Sequence, residues 1–496
     1  MAKRARDSKR TSIQKSKAMR NLAFLPFGAL FVKILIIFNI EGYDWYSLSQ
    51  GSLGLGLTKL LESNYLPKSA WYGADGENYL RGVEALTKDG FLSNAGILSY
   101  WPAGYPLLLW LVGLIFGGWF LTVVAILQSA LYAFATWLLA VEMKLGRLAK
   151  FSFPLLLILN LNPTLALNTI AIGYELPTAS LLIVALALML RFFRNRRSSV
   201  FSKESILAAF SLSLATLMQP RLIAFALIIF LFWAIAQFGK KSGSIFLVLS
   251  LMIVLIAPTV LIVRNLGSNG MFTISTNLGT TMNIGAGPDS SGGWTNKATG
   301  VECPEVSGNE ALKDRALVSC VLNWYVSNPG KSFQLFWNKT RFFWSPWFGP
   351  LASGTMARNP WFINHPLRKM ASTEDGYRTI TGSFGKTISA IWMLATFLFL
   401  LLGLKSLFQA GHLERLLGLT SFSVVVVNWL ITILTIGDHR FRIPSMGASL
   451  LLQTVGFIGL FLKNRDRYRG NPIAVSWAGL YWKRRKEADN LPPHNV

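Results

Sequence analysis

Residues 71–116 read WYGADGENYLRGVEALTKDGFLSNAGILSYWPAGYPLLLWLVGLIF, and the way this stretch meets a lipid bilayer decides the layout of the whole chain. Its first half is polar and holds two close carboxylates, Asp75 and Glu77, in a sequence with only 23 acidic residues among 496. Its final run, 105–116, is apolar but short. A helix rises 1.5 Å per residue, and a hydrocarbon core of about 30 Å takes about 20 residues. The run therefore reads as an interfacial or re-entrant helix. With that choice the basic residues Lys144, Arg147 and Lys150, after the next apolar block, fall on the same side as the basic N-terminus. The positive-inside bias asks for that arrangement.

Composition agrees. The chain is 52% hydrophobic and 14% charged, with a mean hydropathy of +0.42, which excludes an ordinary soluble domain. Its net charge of +25 sits mostly in short Lys/Arg clusters between apolar blocks. Those clusters are explained by membrane topology, so no nucleic-acid partner is expected. The N-terminal apolar run has no small-residue cleavage site after it and reads as a retained first helix.

Working outward, the expected fold class is an all-α polytopic membrane protein of about ten spans with extracytoplasmic loop helices. The spans are placed near 22–40, 119–143, 151–166, 177–190, 206–218, 222–238, 245–263, 388–404, 416–436 and 444–462. A cytoplasmic basic tail (1–21) precedes a first membrane module (22–263), whose outer loop is 41–118 with surface helices at 53–61 and 77–86. A large outer region (264–385), a second membrane module (386–462) and a basic cytoplasmic tail (463–496) complete the chain. Cys303 and Cys320 both fall in the outer region, where oxidation is permitted, and a disulfide between them is expected.

Several charges stand where the positive-inside bias does not want them: Arg221 at an outer hairpin, Arg264 at an outer helix end, and Asp438, His439, Arg440 and Arg442 in one short outer turn. Charges near the bilayer cost free energy and call for partners. Together with Asp75, Glu77 and Glu175 they suggest a site that binds an anion through guanidiniums and does acid–base work with carboxylates. Arginine's planar fork suits a phosphate. Plainer roles stand beside each of these. Arg440 and Arg442 can snorkel to headgroups, and Asp438 can orient Arg440 or His439. His439 can be structural or donate a proton to a leaving phosphate. Glu175 can be a helix N-terminal carboxylate, and Asp75 can cap a helix starting near Glu77. Asn277 opens a Gly- and Asn-rich segment, 277–294, whose backbone N–H groups suit a phosphate, although it matches no P-loop.

These residues resemble the GT-C superfamily of integral-membrane glycosyltransferases, in particular bacterial relatives of protein O-mannosyltransferases and of the aminoarabinose transferases that modify lipid A. The likeness rests on Asp75, Tyr79, Ala85, Gly90 and the run Pro102-Ala103-Gly104-Tyr105-Pro106, on Arg264-Asn265 before Ile274-Ser275-Thr276-Asn277, and on Asp438-His439-Arg440-Phe441-Arg442-Ile443-Pro444. It implies a polyprenyl-phosphate-linked sugar as donor, Asp75 as base with Glu77 or Glu175 tuning it, and Arg440 and Arg442, helped by His439, Arg264 and Arg221, on the lipid phosphate. Some members use a divalent metal, Mg or Mn; if this chain does, Asp75 is its ligand. The acceptor is a protein, a lipid or a polysaccharide. Where the mannosyltransferases show adjacent Asp-Glu, Gly76 separates Asp75 from Glu77 here. The resemblance implies a plasma or inner cell membrane location. A lipid-linked glycan flippase, or a glycan polymerase or ligase, are the rival readings.

Overall fold

The computed structural model describes residues 20–35, 37, 74–170, 172–195, 202–237, 240–293, 300–344 and 383–468. The side chains of Asp75, Glu77 and His439, and the expected helix at 53–61, lie outside the description. Among the described residues there is no strand. The first half consists of α1 (residues 20–35), α2 (Ala74–Asp89), α3 (Gly104–Phe116), α4 (Phe120–Lys144), α5 (Ala149–Leu161), α6 (Glu175–Arg194), α7 (Lys203–Met218) and α8 (Ile223–Gln237). The long α9 (Lys240–Asn269) leads to the small helices α10 (Leu278–Ile284), α11 (Glu310–Ser327) and α12 (Pro329–Trp344). The chain then returns through α13 (Ser383–Ala410), α14 (His412–Leu434) and α15 (Ile443–Tyr468).

Six of the described helical stretches are long and apolar enough to cross a membrane: α4, α6, α14, and the segments Lys241–Asn269, Gly385–Ala410 and Arg440–Phe461. The expected spans at 151–166, 206–218 and 222–238 are helices of only 13, 16 and 15 residues. The first of them, α5, stops at Leu161 because Asn162 precedes Pro163 and takes an extended ψ of 115°, the conformation a following proline imposes. The run at 105–116 forms α3, whose 13 residues reach about 20 Å, short of a bilayer core.

The central helix is α6. Of its most apolar 18-residue window, 89% is buried, against 33% in α9 and 22% in α13. The apolar side chains left open on those outer helices, among them Met252, Ile256, Leu394 and Leu401, suit contact with lipid chains. Where α13 and α15 cross, a Cβ on Gly403 would collide with the Leu452 carbonyl and one on Gly456 with the Phe399 carbonyl. Small residues thus let the two backbones touch, the device membrane helices use in place of a hydrophobic drive.

Two boundaries correct the sequence reading. Helix α2 already includes Ala74, so Asp75 lies within it and is not a loop carboxylate capping a helix that begins near Glu77. Helix α9 runs on to Asn269, so Arg264 lies inside it and not at its end. Nothing between Arg264 and Asn269 breaks the helix. It ends where Gly270, at φ +66°, donates its N–H back to the Leu266 carbonyl in the left-handed glycine cap. Beyond it α10, α11 and α12 enclose a small core of Met282, Val321, Tyr325 and Leu335. Cys303 and Cys320 are bonded to each other there, with Cα atoms 6.0 Å apart.

Candidate functional site

The site is built around the N-terminus of α6. Tyr105 of α3 donates to Gln128 Oε1 at 2.9 Å and accepts the Gly173 N–H at 3.0 Å, which fixes the turn entering α6. Next in that turn, the Tyr174 hydroxyl accepts Gln219 Nε2 at 2.9 Å, tying it to the end of α7. Glu175, the first residue of α6, is 1% exposed. Its carboxylate has the place the helix dipole favours, but burial that deep demands more than a dipole. On the other side Tyr79 of α2, one helical turn beyond Asp75, packs edge-on against Tyr105 (5.1 Å), Tyr174 (6.1 Å) and Trp101 (6.3 Å).

Two guanidiniums close the space above Glu175. Arg221, in the 3₁₀ turn Pro220–Leu222 between α7 and α8, places its guanidinium carbon 4.7 Å from the centre of the Phe441 ring. The guanidinium carbon of Arg440 lies 4.8 Å from the same ring. Arg221 feels the hydroxyls of Tyr174 and Tyr79 and the charges of Glu175 and Arg440. Its Nε and Nη2 are buried and meet no acceptor among the described residues. Among the described residues two buried nitrogens of Arg221 are thus left as donors, which an anion would satisfy.

The other flagged arginines are used differently. Arg264 is fully buried, and its guanidinium donates to the carbonyls of Ser93 and Leu98 and, at 2.6 Å, to Asn265 Oδ1. It pins the loop after α2 to the end of α9. Arg442 donates to the carbonyls of Phe343 (3.3 Å) and Trp344 (2.9 Å), holding the end of α12 against the turn before α15. Asp438, 3% exposed, accepts the Arg440 N–H at 3.0 Å and so caps that turn. Asn428 braces it from α14 through Nδ2, which donates to the Phe441 carbonyl and to Ser445 Oγ, both at 2.8 Å. Asn277 leads into α10, where its Oδ1 accepts the Ser275 hydroxyl at 3.3 Å.

Sequence reasoning passed over several members of this cluster. Tyr174 had no signal beyond its place beside Glu175, and Phe441 stood only as a member of the run from Asp438 to Pro444. Gln219 had none. Nor did Lys339 of α12, which is fully buried and donates to Tyr325 Oη at 2.7 Å and to the Thr435 carbonyl at 2.6 Å. Burial pulls its pKa down to about 7.

Among the described residues no group of three or more His, Cys, Asp and Glu side chains comes together to hold a metal ion; the carboxylates of Asp75 and Glu77 are outside that set. No protein-family model matches the chain, and comparison with curated proteins and with solved structures finds no match either.

Proposed function

We propose that this protein is an inverting glycosyltransferase that moves a sugar from a polyprenyl-phosphate carrier to an acceptor on the extracytoplasmic face of the cell membrane, through a GT-C-like bundle of about ten spans with both termini cytoplasmic. The observation that carries the reading is the pair of guanidiniums, Arg221 and Arg440, both set on the Phe441 ring above buried Glu175, next to the helix that bears Asp75. In the proposed reaction the acceptor oxygen attacks the anomeric carbon and Asp75 takes its proton. The bond from that carbon to the phosphate oxygen breaks, and the electron pair leaves with the phosphate. Arg221 and Arg440 stabilise the charge that grows there, with little reorganisation because packing already holds them. Glu175 keeps the two guanidiniums close before the donor arrives. Arg442 and Arg264 act at one remove, as struts for the turn carrying Arg440 and for the loop after α2.

The test is a transfer assay on the purified protein with a panel of polyprenyl-phosphate sugars, with and without a chelator. Asp75→Asn is expected to lower transfer by about 10²–10⁴-fold, the usual weight of a positioned base, while lipid-sugar binding is retained. Unchanged transfer in Asp75→Asn, or movement of the intact lipid-linked sugar across the bilayer without transfer, overturns the reading.

A further inference from the structure

The region after α9 holds a cleft of about 630 Å³ lined by none of the side chains gathered around Glu175. Three ties build its walls. The Cys303–Cys320 bond fastens the segment after Gly300 to α11. The Val301 N–H donates to Asn283 Oδ1 at 2.7 Å, joining that segment to α10. The Gly279 N–H donates to Asp314 Oδ1 at 2.7 Å, seating the start of α10 on α11. Leu317 and Trp324 line the cleft from α11, and Cys320 falls between them at helical spacing, so the bond anchors the middle of that wall. The volume lies within the range of small-molecule sites, roughly 300–1,000 Å³.

The lining has a definite chemistry. Asp289 and Glu302 stand exposed at it, Asn283 and Thr280 add polar groups, and among the described residues neither Lys nor Arg takes part, in a chain whose net charge is +25. Such a lining repels phosphates and carboxylates and accepts hydrogen bonds from hydroxyl groups. Trp324, half-buried, adds a broad ring that is apolar on its face. An apolar ring face flanked by acceptors matches a pyranose, which has a C–H face and a rim of hydroxyls. We infer that this cleft binds a neutral saccharide, which, on the reading of the protein as a glycosyltransferase, is the acceptor.

The experiment measures binding of neutral gluco-, manno- and galacto-oligosaccharides to the full chain in lipid nanodiscs, by calorimetry, against the matching uronic-acid oligosaccharides. A neutral series is expected to bind at least about tenfold more tightly than its uronate counterpart, a gap of about 1.4 kcal/mol. Trp324→Ala is expected to abolish binding and Trp324→Phe to retain part of it. Asp289→Asn combined with Glu302→Gln, at exposed positions where folding is not at stake, is expected to remove the preference over uronates. Absence of neutral binding, equal binding of uronates, or unchanged affinity in Trp324→Ala overturns the inference. The two readings fail separately. If the wild-type chain transfers no sugar while Trp324-dependent binding persists, the transferase reading falls and the cleft stands. If Asp75→Asn abolishes transfer while Trp324→Ala binds and transfers normally, the cleft falls and transfer stands.

Discussion

The two ends of α6 carry the same ingredients, a buried glutamate and two arginines, wired in opposite ways. At the C-terminal end Glu142, from α4, bonds Arg191 Nε at 2.8 Å through one oxygen and Arg194 through the other. The glutamate side chain is fully buried, but the arginine side chains remain 33% and 23% exposed, so water shares the work of solvating them. At the N-terminal end Glu175 and Arg221 are drawn together with Arg440 over an aromatic ring, and two nitrogens of Arg221 face no acceptor among the described residues. The first arrangement is closed. The second has donors left over for a ligand. A buried Glu with two Arg is therefore no sign of a site by itself; what matters is which donors the fold leaves unused.

That contrast extends to Lys339, which belongs with the N-terminal end because it holds the Thr435 carbonyl just before the Arg440 turn. Its folded pKa, pulled down by burial to about 7, lies below the ordinary lysine value of 10.5. Between those two values the unfolded chain binds the proton and the folded chain does not, so stability rises with pH across the window. Below about 7 both states are charged and this contribution is level at its least favourable. At 1.36 kcal/mol per unit the full swing is roughly 4–5 kcal/mol. Thermal unfolding of the wild type and of Lys339→Met in nanodiscs, from about pH 6 to about pH 10, is expected to show Tm rising with pH only in the wild type. Parallel curves would remove the claim that burial disfavours the charged form of this lysine.

Substitution at the two ends tests the comparison directly. Arg221→Gln is expected to cut transfer by about 10²–10³-fold, the usual loss of a charge-stabilising donor, with Tm held or raised because an incompletely bonded buried cation is gone. Glu142→Gln is expected to do the reverse. It leaves Arg191 and Arg194 side by side without their carboxylate and lowers stability by about 2–3 kcal/mol, discounted for their exposure, with transfer per folded molecule unchanged. If both variants lower Tm alike and neither changes specific activity, the two ends are the same kind of structural lock.

Much of the fold was legible because periodicity and length are local properties. The run at 105–116 is a short helix of 13 residues, as the length of its apolar stretch implied, and Pro220 marked the break between α7 and α8. The helix ends were less legible. The setting of α2 was not legible either: Tyr79 is buried among Tyr105, Tyr174 and Trp101, contacts made across as many as 95 residues of chain between Tyr79 and Tyr174. The arginines show the deeper limit. Charge in an unexpected place singled out Arg221, Arg264, Arg440 and Arg442 alike, but two of them turn to main-chain carbonyls and two to a ring. Which carbonyls come within reach is a property of the packed bundle and has no counterpart in the neighbouring sequence.

Phe441 gives the finest cut. Each guanidinium over its ring gains roughly 0.5–2 kcal/mol where water is excluded. Phe441→Leu keeps the apolar volume of a side chain that is 7% exposed and removes the π face. If the ring positions Arg221 and Arg440 for an incoming phosphate, the variant is expected to raise KM for the lipid donor by about tenfold, the weight of one such contact, with kcat little changed and Tm close to wild type. If the ring serves only as packing, KM stays put. The same substitution with Arg221 already replaced by Gln is expected to cost less, because one of the two contacts is then missing. Full additivity of the two effects would mean that the arginine and the ring act separately, and the N-terminal end of α6 would then hold two unrelated features in place of one anion-binding unit.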